Sequence, residues 1–335
     1  MEGMSEQWVW VPFEVDKKFD GWRIDQFLAE RLTGYSRSKV QKILDEARVH
    51  KDGRPAKTHS RIKTGDKVEV AYLRKPEKAL APDATLPVLH EDDDLLIINK
   101  PANLLSHPTD KVVHNTVLGI LRHSRKDEKP LHLLHRLDRE TSGVLALAKN
   151  PATARAWTRA MERHAVRKEY VAFVRGRLDP AAGVIDAPIG RQGGPIHVRQ
   201  WIDAPEAAAA VTRYATERTL TTAQGPVSVV RIFPQTGRLH QIRVHLASRG
   251  APLLGDPLYS TPEGVHYAAM LKGELSDRER QSALGFPRVA LHAASLSFNH
   301  PRTQQHLQIR APLAADMAAF LALDASSDDA ILASQ

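Results

Sequence analysis

His135-Arg136-Leu137-Asp138-Arg139-Glu140-Thr141-Ser142-Gly143 runs directly into Val144-Leu145-Ala146-Leu147-Ala148. The second stretch is a short continuous apolar run, the pattern of a strand buried on both faces. The first sets a single aspartate between two arginines and closes with a Ser-Gly turn. A carboxylate on a loop at the mouth of a buried strand is rigidly held and open to a ligand. The flanking cations favour its charged form and attract a polyanion. A surface loop with ordinary ion pairs would use the same residue types. The length of the run and its companions along the chain decide against that reading.

Working outward, Leu95-Leu96-Ile97-Ile98 reads as a strand stopped by Asn99-Lys100-Pro101. Asn150-Pro151 opens a helix through about His164. Lys168 to Val174 alternates as a strand, with Tyr170, Ala172 and Val174 on one face. Val211–Ala215, Val227–Phe233, Ala294–Phe298 and His306–Ile309 are further strands. Gly237 to Ser248 and Leu313 to Leu323 read as helices. On the former, Arg238, Gln241 and His245 would share one face, with Leu239, Ile242 and Leu246 buried on the next. Strands dominate from residue 88 to 324, which we read as one domain. Residues 325–335 are acidic, Ser-rich and expected to be loose.

The 335 residues carry a formal net charge of +8, concentrated at the front. Residues 16–75 hold 16 Lys/Arg against 9 Asp/Glu. There Ile24, Phe27, Leu28 and Leu32 recur at helical spacing, with Gly34 ending the helix. Ser36 caps a second helix, along which Val40, Ile43, Leu44 and Ala47 form an apolar stripe. Val68, Val70 and Tyr72 alternate as a strand. Residues 16–75 thus read as a small α+β domain, joined to the larger one by a proline-bearing linker, 76–87. Arg37, Lys39 and Lys42 project away from the apolar stripe, and Ser38 adds a neutral group suited to phosphate and sugar.

Composition excludes some classes. Cys is absent, which removes disulfides and thiolate metal sites. No apolar run reaches the ~18 residues of a membrane helix. Met1 to Trp10 carries acids and no base, unlike the start of a signal peptide. We find neither a phosphate-cradling Gly-x-x-x-x-Gly-Lys-Ser/Thr loop nor His-Glu-x-x-His. These absences suit a cytoplasmic protein without membrane partner, nucleotide cofactor or metal.

Two companions complete the pattern: Arg167-Lys168-Glu169-Tyr170, and Thr236-Gly237-Arg238-Leu239-His240-Gln241-Ile242-Arg243-Val244-His245-Leu246, which continues into Gly255-Asp256-Pro257-Leu258-Tyr259. With the 135–143 run, and with Asp94 to Pro101 followed by His107-Pro108, they resemble the RluA-type pseudouridine synthases over roughly residues 90–320. The front resembles the S-four type RNA-binding module through Arg23-Ile24-Asp25-Gln26-Phe27-Leu28, Ser36-Arg37-Ser38-Lys39-Val40-Gln41 and Val49 with Gly53. The resemblance implies an α+β architecture whose catalytic domain is a mixed, mostly antiparallel, bent sheet. It implies cofactor-free isomerisation of uridine to its C-glycoside in RNA, ribosomal RNA of the large subunit more than transfer RNA, by a monomer. Asp138 would be the essential carboxylate, acting either as a nucleophile on the sugar or as a base toward a sugar proton. Arg238 would pair with it and aim it, and Tyr170 would lie against the uracil. His135, Arg136, Arg139, Thr141, His240, Gln241 and Arg243 would contact the RNA, as would Arg37, Ser38, Lys39 and Lys42 of the front module. The target uridine must be unstacked to be reached.

Two other classes fit parts of the chain. A non-catalytic RNA-binding protein shares the basic front but has no need of Asp138, Tyr170 and Arg238. A metal-dependent nuclease is suggested by the 16 His, but the ligand spacing it needs is missing.

Overall fold

The computed structural model describes residues 7–32, 37–74, 83–109, 112–191, 196, 198–261, 263–272 and 274–322. The expected helix signals Gly34 and Ser36, most of the linker and the tail lie outside them. Chain contacts divide the protein into two units, Met1–Lys78 and Ala79–Gln335.

In the first unit β1 (Gln7–Glu14) is followed by α1 (Ile24–Arg31), α2 (Arg37–Asp45), β2 (Val49–Lys51), β3 (Arg54–Pro55) and β4 (Lys67–Arg74). The strands form one sheet in the order β1-β4-β2-β3. Ile24, Phe27, Leu28, Leu32, Val40, Ile43 and Leu44 from the two helices bury against Val49, Val68 and Val70 of the sheet. The two helical stripes therefore pack as their spacing predicts, except at Ala47. Helix α2 ends at Asp45, and Ala47 turns the chain at φ +54° in an exposed position. Strand β1 is an addition to the sequence reading. Val9, Val11 and Phe13 do alternate with Trp8, Trp10 and Pro12, but acids flank the stretch and no turn signal marks it off.

The second unit runs β5 (Val88–Glu91), β6 (Leu95–Lys100), α3 (Val117–Ser124), β7 (His132–Leu133), β8 (Ser142–Ala148), α4 (Pro151–Glu162), β9 (Arg167–Arg175), β10 (Ala182–Asp186), β11 (Ile189–Gly190), β12 (Trp201–Ile202), β13 (Val211–Thr222) and β14 (Gly225–Pro234). It continues through α5 (Gln241–Ser248), α6 (Val265–Lys272), α7 (Asp277–Leu284), β15 (Leu291–Asn299) and β16 (His306–Arg310) to a last helix, α8, at 315–322. Among the described residues ten strands form one sheet. Its path is β10-β13-β14-β9-β15-β8-β6-β5, with β16 on β15 and β7 on β8. The β15–β8 contact is parallel and the other described pairs are antiparallel. The sheet is thus mixed and mostly antiparallel.

Alternation along the central strands sorts side chains to two faces. Leu96, Ile98, Leu145, Leu147, Tyr170, Ala172, Val230 and Ile232 cluster with Val117, Ile120 and Leu121 of α3 and Ile242 and Leu246 of α5. Leu95, Ile97, Val144, Ala146, Leu296 and Phe298 cluster on the other face with Trp157 of α4. Every residue of β8 is buried, which is why its sequence reads as an unbroken apolar run rather than an alternating one. Helix α4 starts where Asn150-Pro151 predicts: the Asn150 side chain accepts the Thr153 N–H at 2.9 Å, and Pro151 takes the first helical turn.

Candidate active site

The 135–141 loop delivers Asp138 to the mouth of β8. Its turn is Asp138–Thr141, closed by the Thr141 N–H donating to Asp138 O at 3.1 Å. The expected Ser-Gly turn is corrected here: Ser142-Gly143 already belongs to β8. Gly143 has φ +108°, and a Cβ on it would stand 2.1 Å from Ala293 O. Glycine is therefore required for β8 and β15 to approach in parallel beneath the loop.

Four contacts fix the loop. The Ser106 hydroxyl donates to Leu137 O at 2.8 Å and accepts the Leu137 N–H at 3.2 Å. Buried Lys100 donates from Nζ to Pro101 O, Leu104 O and Arg139 O at 2.8, 2.8 and 3.2 Å. Burial pushes that amine down to about 7, opposed by Asp138 and reinforced by Arg288. The Glu140 carboxylate accepts two bonds from Arg280 of α7, at 2.9 and 2.6 Å, and the Val289 N–H at 2.7 Å. Arg288 donates to Glu140 O at 3.0 Å and forms a two-bond pair with Asp316.

Asp138 itself is partly open, with 29% of its side chain exposed. Its cationic partner is Arg243, whose Nη1 donates to Oδ2 at 3.2 Å. The other edge of that guanidinium is held by Asp256, from Nε at 2.7 Å and Nη2 at 2.9 Å. Asp256 is fully buried and also accepts the N–H groups of Leu258 and Tyr259. Burial opposes charge on both partners. Asp256 and then Asp138 nevertheless hold Arg243 above its ordinary value, while Arg243 holds Asp256 below the usual carboxylate range.

The expected partner, Arg238, does not fill this role. Helix α5 begins at Gln241 rather than Gly237, because His240 takes a left-handed φ of +56°. Arg238 therefore lies in the preceding loop, exposed, donating from Nε to Ala209 O at 3.0 Å. Leu239, expected to be buried, is 41% exposed for the same reason. Once the helix starts at 241, Arg243 lies in its first turn, buried, and reaches both Asp138 and Asp256.

Tyr170 is buried on β9, on the face of the sheet that carries α5. Burial, and then the charge of Asp138, push its phenol up, so the hydroxyl keeps its proton at neutral pH. His240 lies between Tyr259 and Asp138, with Nδ1 3.0 Å from the Tyr259 hydroxyl and Nε2 4.0 Å from Asp138 Oδ2. Burial and the adjacent Arg243 push the imidazole down to about 4, so it is neutral. The Tyr259 oxygen accepts the Gln200 N–H at 2.9 Å. If its own proton goes to Nδ1, the ring proton of His240 sits on Nε2, toward Asp138.

Other expected RNA contacts divide by exposure. Arg136 and Arg139 are exposed beside Asp138. Thr141 is buried, and its N–H closes the turn on Asp138 O. Gln241 is also turned inward: its amide serves Thr236, Arg238 N, Val211 O and Thr212. His135 accepts the Ala146 N–H at 3.2 Å, and burial, reinforced by Lys168, pushes it down to about 4. It braces β8. In the first unit Ser38 and Lys42 are exposed on α2.

Asp256 is the functional residue that the sequence reading missed. A lone carboxylate within Ala251-Pro252-Leu253-Leu254-Gly255-Asp256-Pro257-Leu258 has to find a cation when that segment is buried, which was the available signal. Asp92, Asp94 and His300 lie close enough to share a cation. His300 Nδ1, however, accepts the N–H groups of Arg302 and Thr303 at 3.2 and 3.1 Å. The ring proton is thereby placed on Nε2, which faces Asp92 Oδ2 at 3.2 Å without a hydrogen bond, while Arg302 and Asn150 donate to Asp94 and tie the β5–β6 turn to the β15–β16 turn.

The comparisons with known proteins agree with this fold. The RNA pseudouridylate synthase family matches residues 94–248, and the S4 domain matches residues 22–68. The solved human RNA pseudouridylate synthase domain containing 4 superposes with a TM-score of 0.53 at 28% identity, over 69% of this chain and 90% of that one. The larger unit thus has the architecture of an RNA-isomerising enzyme. Ribosomal large subunit pseudouridine synthase D of Vibrio parahaemolyticus is 34% identical over 90% of each chain. Synthase C of Salmonella typhimurium is 32% identical over 88% of this chain and 90% of its own length. The chain belongs to the RluA family and is an RNA pseudouridine synthase. No helix among the described residues is long and apolar enough to cross a membrane.

Proposed function

We propose that this enzyme isomerises selected uridines of large-subunit ribosomal RNA in the cytoplasm, as a monomer, with Asp138 as the essential carboxylate and no cofactor. The observation that carries the reading is the Asp256–Arg243–Asp138 chain. A buried guanidinium, anchored by one carboxylate, holds a second, partly exposed one at the mouth of a strand. The relatives' ribosomal substrates support the choice of RNA. In the reaction the N1–C1′ bond of uridine breaks, the uracil turns, C5 bonds to C1′, and the C5 proton leaves as N1 gains one. Atoms balance without an added group. Asp138 attacks the sugar or takes a sugar proton, and Arg243 keeps it charged and aimed. Tyr170 flanks the base, while Arg136 and Arg139 meet phosphates. Arg238 is an exposed cation at the rim.

Residues 16–75 supply affinity and 88–324 the chemistry. Mapping carbodiimide adducts in ribosomal RNA from cells lacking the protein tests the assignment. Specific pseudouridines should disappear and return with the wild-type gene but not with an Asp138→Asn copy. An unchanged map would refute it.

Two further outcomes follow from the division of labour. A chain starting at residue 79 should bind RNA more weakly with a flatter salt dependence, since each phosphate contact contributes roughly 0.7–0.9 of log–log slope. Its turnover at saturating RNA should survive, and an unaltered salt slope would reject the role of the front. For Tyr170→Phe, RNA binding should persist because the ring remains. Product formation should fall roughly 100-fold or more if the neutral hydroxyl relays the C5 proton. Full activity of the Phe variant would confine Tyr170 to stacking.

A further inference from the structure

Strand β1 lies outside the S4 match, which begins at residue 22, and brings two exposed tryptophans to the outer face of the small sheet. Trp8 is 48% exposed and Trp10 is 40% exposed. They stand two residues apart on one face of an edge strand, about 6.8 Å by strand rise. The core lies on the opposite face, where Val49, Val68 and Val70 are buried. Each ring has one side already covered by a planar polar group. His50 stacks on Trp10 with ring centroids 4.0 Å apart and 27° between planes. The Arg48 guanidinium lies 5.3 Å from the centre of Trp8 and also pairs with Glu46.

We propose that Trp8 and Trp10 form a stacking platform for unpaired bases of the RNA substrate, separate from the site of Asp138. The proposal rests on the reading of the chain as an RNA-modifying enzyme and adds a contact to it. Large exposed aromatic rings beside cations are the combination that binds single-stranded nucleic acid, because every base presents a π face. The charge is complementary: residues 16–75 carry an excess of seven positive charges, against three acidic residues and no Lys or Arg in residues 1–15, which include β1. A protein partner fits less well. The centre of a protein interface is depleted of charge, whereas Arg48 lies over Trp8, His50 stacks on Trp10, and Glu69 stands opposite the neighbouring Pro12. The spacing lets each ring take its own base.

The test uses the full chain with Trp8→Ala, Trp10→Ala, the double variant, and Trp8→Phe/Trp10→Phe as a ring-keeping control. Two probes are titrated across a range of salt: a twelve-nucleotide oligouridylate and an abasic sugar-phosphate oligomer of equal length. Each Ala change should weaken oligouridylate binding roughly tenfold. The salt slope should stay fixed, the abasic probe should bind as before, and the Phe pair should restore most of the affinity. Oligouridylate should also quench tryptophan emission in the wild type more than in the Phe pair, a readout that does not depend on the Ala variants folding. Wild-type affinity in the Ala variants, or equal losses for both probes, would overturn the platform. So would a change in sedimentation showing that the face joins two copies. Isomerisation of saturating RNA should be intact in all of them, so failure here leaves the assignment of Asp138 standing.

Discussion

Asp138→Asn should produce a folded protein that binds RNA as well as or better than the wild type and forms no detectable pseudouridine. The substitution preserves volume at a site with 29% side-chain exposure. The amide oxygen can still accept from Arg243 Nη1, and Arg243 keeps both of its bonds to Asp256. Little stability is therefore lost, because the buried half of the arrangement remains intact. The chemistry is another matter. An amide is neither a nucleophile toward the sugar nor a base toward its protons, so both routes open to Asp138 are closed. Binding is spared or improved because one negative charge leaves a polyanion site. Gel-shift affinity, thermal denaturation and carbodiimide mapping on the same preparation separate these effects. Substantial product from a revertant-free Asn protein would falsify the role of the aspartate.

How far the site was legible follows from which contacts are local. Asp138 could be read because its neighbours in sequence are its neighbours in space: a turn, two arginines and the buried strand behind them. Helices α1 and α2 were legible because their apolar stripes face one core. The arginine was not. Arg238 and Arg243 are five residues apart in one motif, and the choice between them depends on where α5 begins. That start is set by the left-handed His240, a conformation in which histidine is enriched but which only a small share of histidines takes. Glu140 and Arg280 meet across 140 positions, and Asp256 meets Arg243 only after the 249–255 segment has turned back. Such pairs are products of topology. Gly255 marks that turn: at φ +71° a Cβ would stand 1.7 Å from Arg288 O. Strand β1 shows the converse case, in which an alternating pattern was present but its pairing partner, β4, lies some sixty residues away.

Removing the guanidinium should do more damage than removing the carboxylate it aims. Arg243→Ala leaves Asp256 fully buried with only two backbone N–H donors, and loss of one partner of a buried pair costs about 3–5 kcal/mol. A fall in melting temperature on the order of 10 °C is expected for a domain of this size. Catalysis should drop at least as steeply, since Asp138 loses the group that orients it. Arg243→Lys should recover part of the stability and little of the activity, because an ammonium cannot grip Asp256 through two donors and reach Asp138 with a third. The pair also has a pH signature. The Asp256 carboxyl is held below its ordinary value in the folded protein, so its contribution is fully present above the unfolded value, ~3.9. It is lost as pH falls from there through the folded value. Melting temperatures measured from pH 6 to pH 3 should therefore decline more steeply for the wild type than for Asp256→Asn, which has no such proton to take up. Equal acid slopes in the two proteins would mean that Arg243 is not anchored by an ionised Asp256, and the aiming of Asp138 would then need another source.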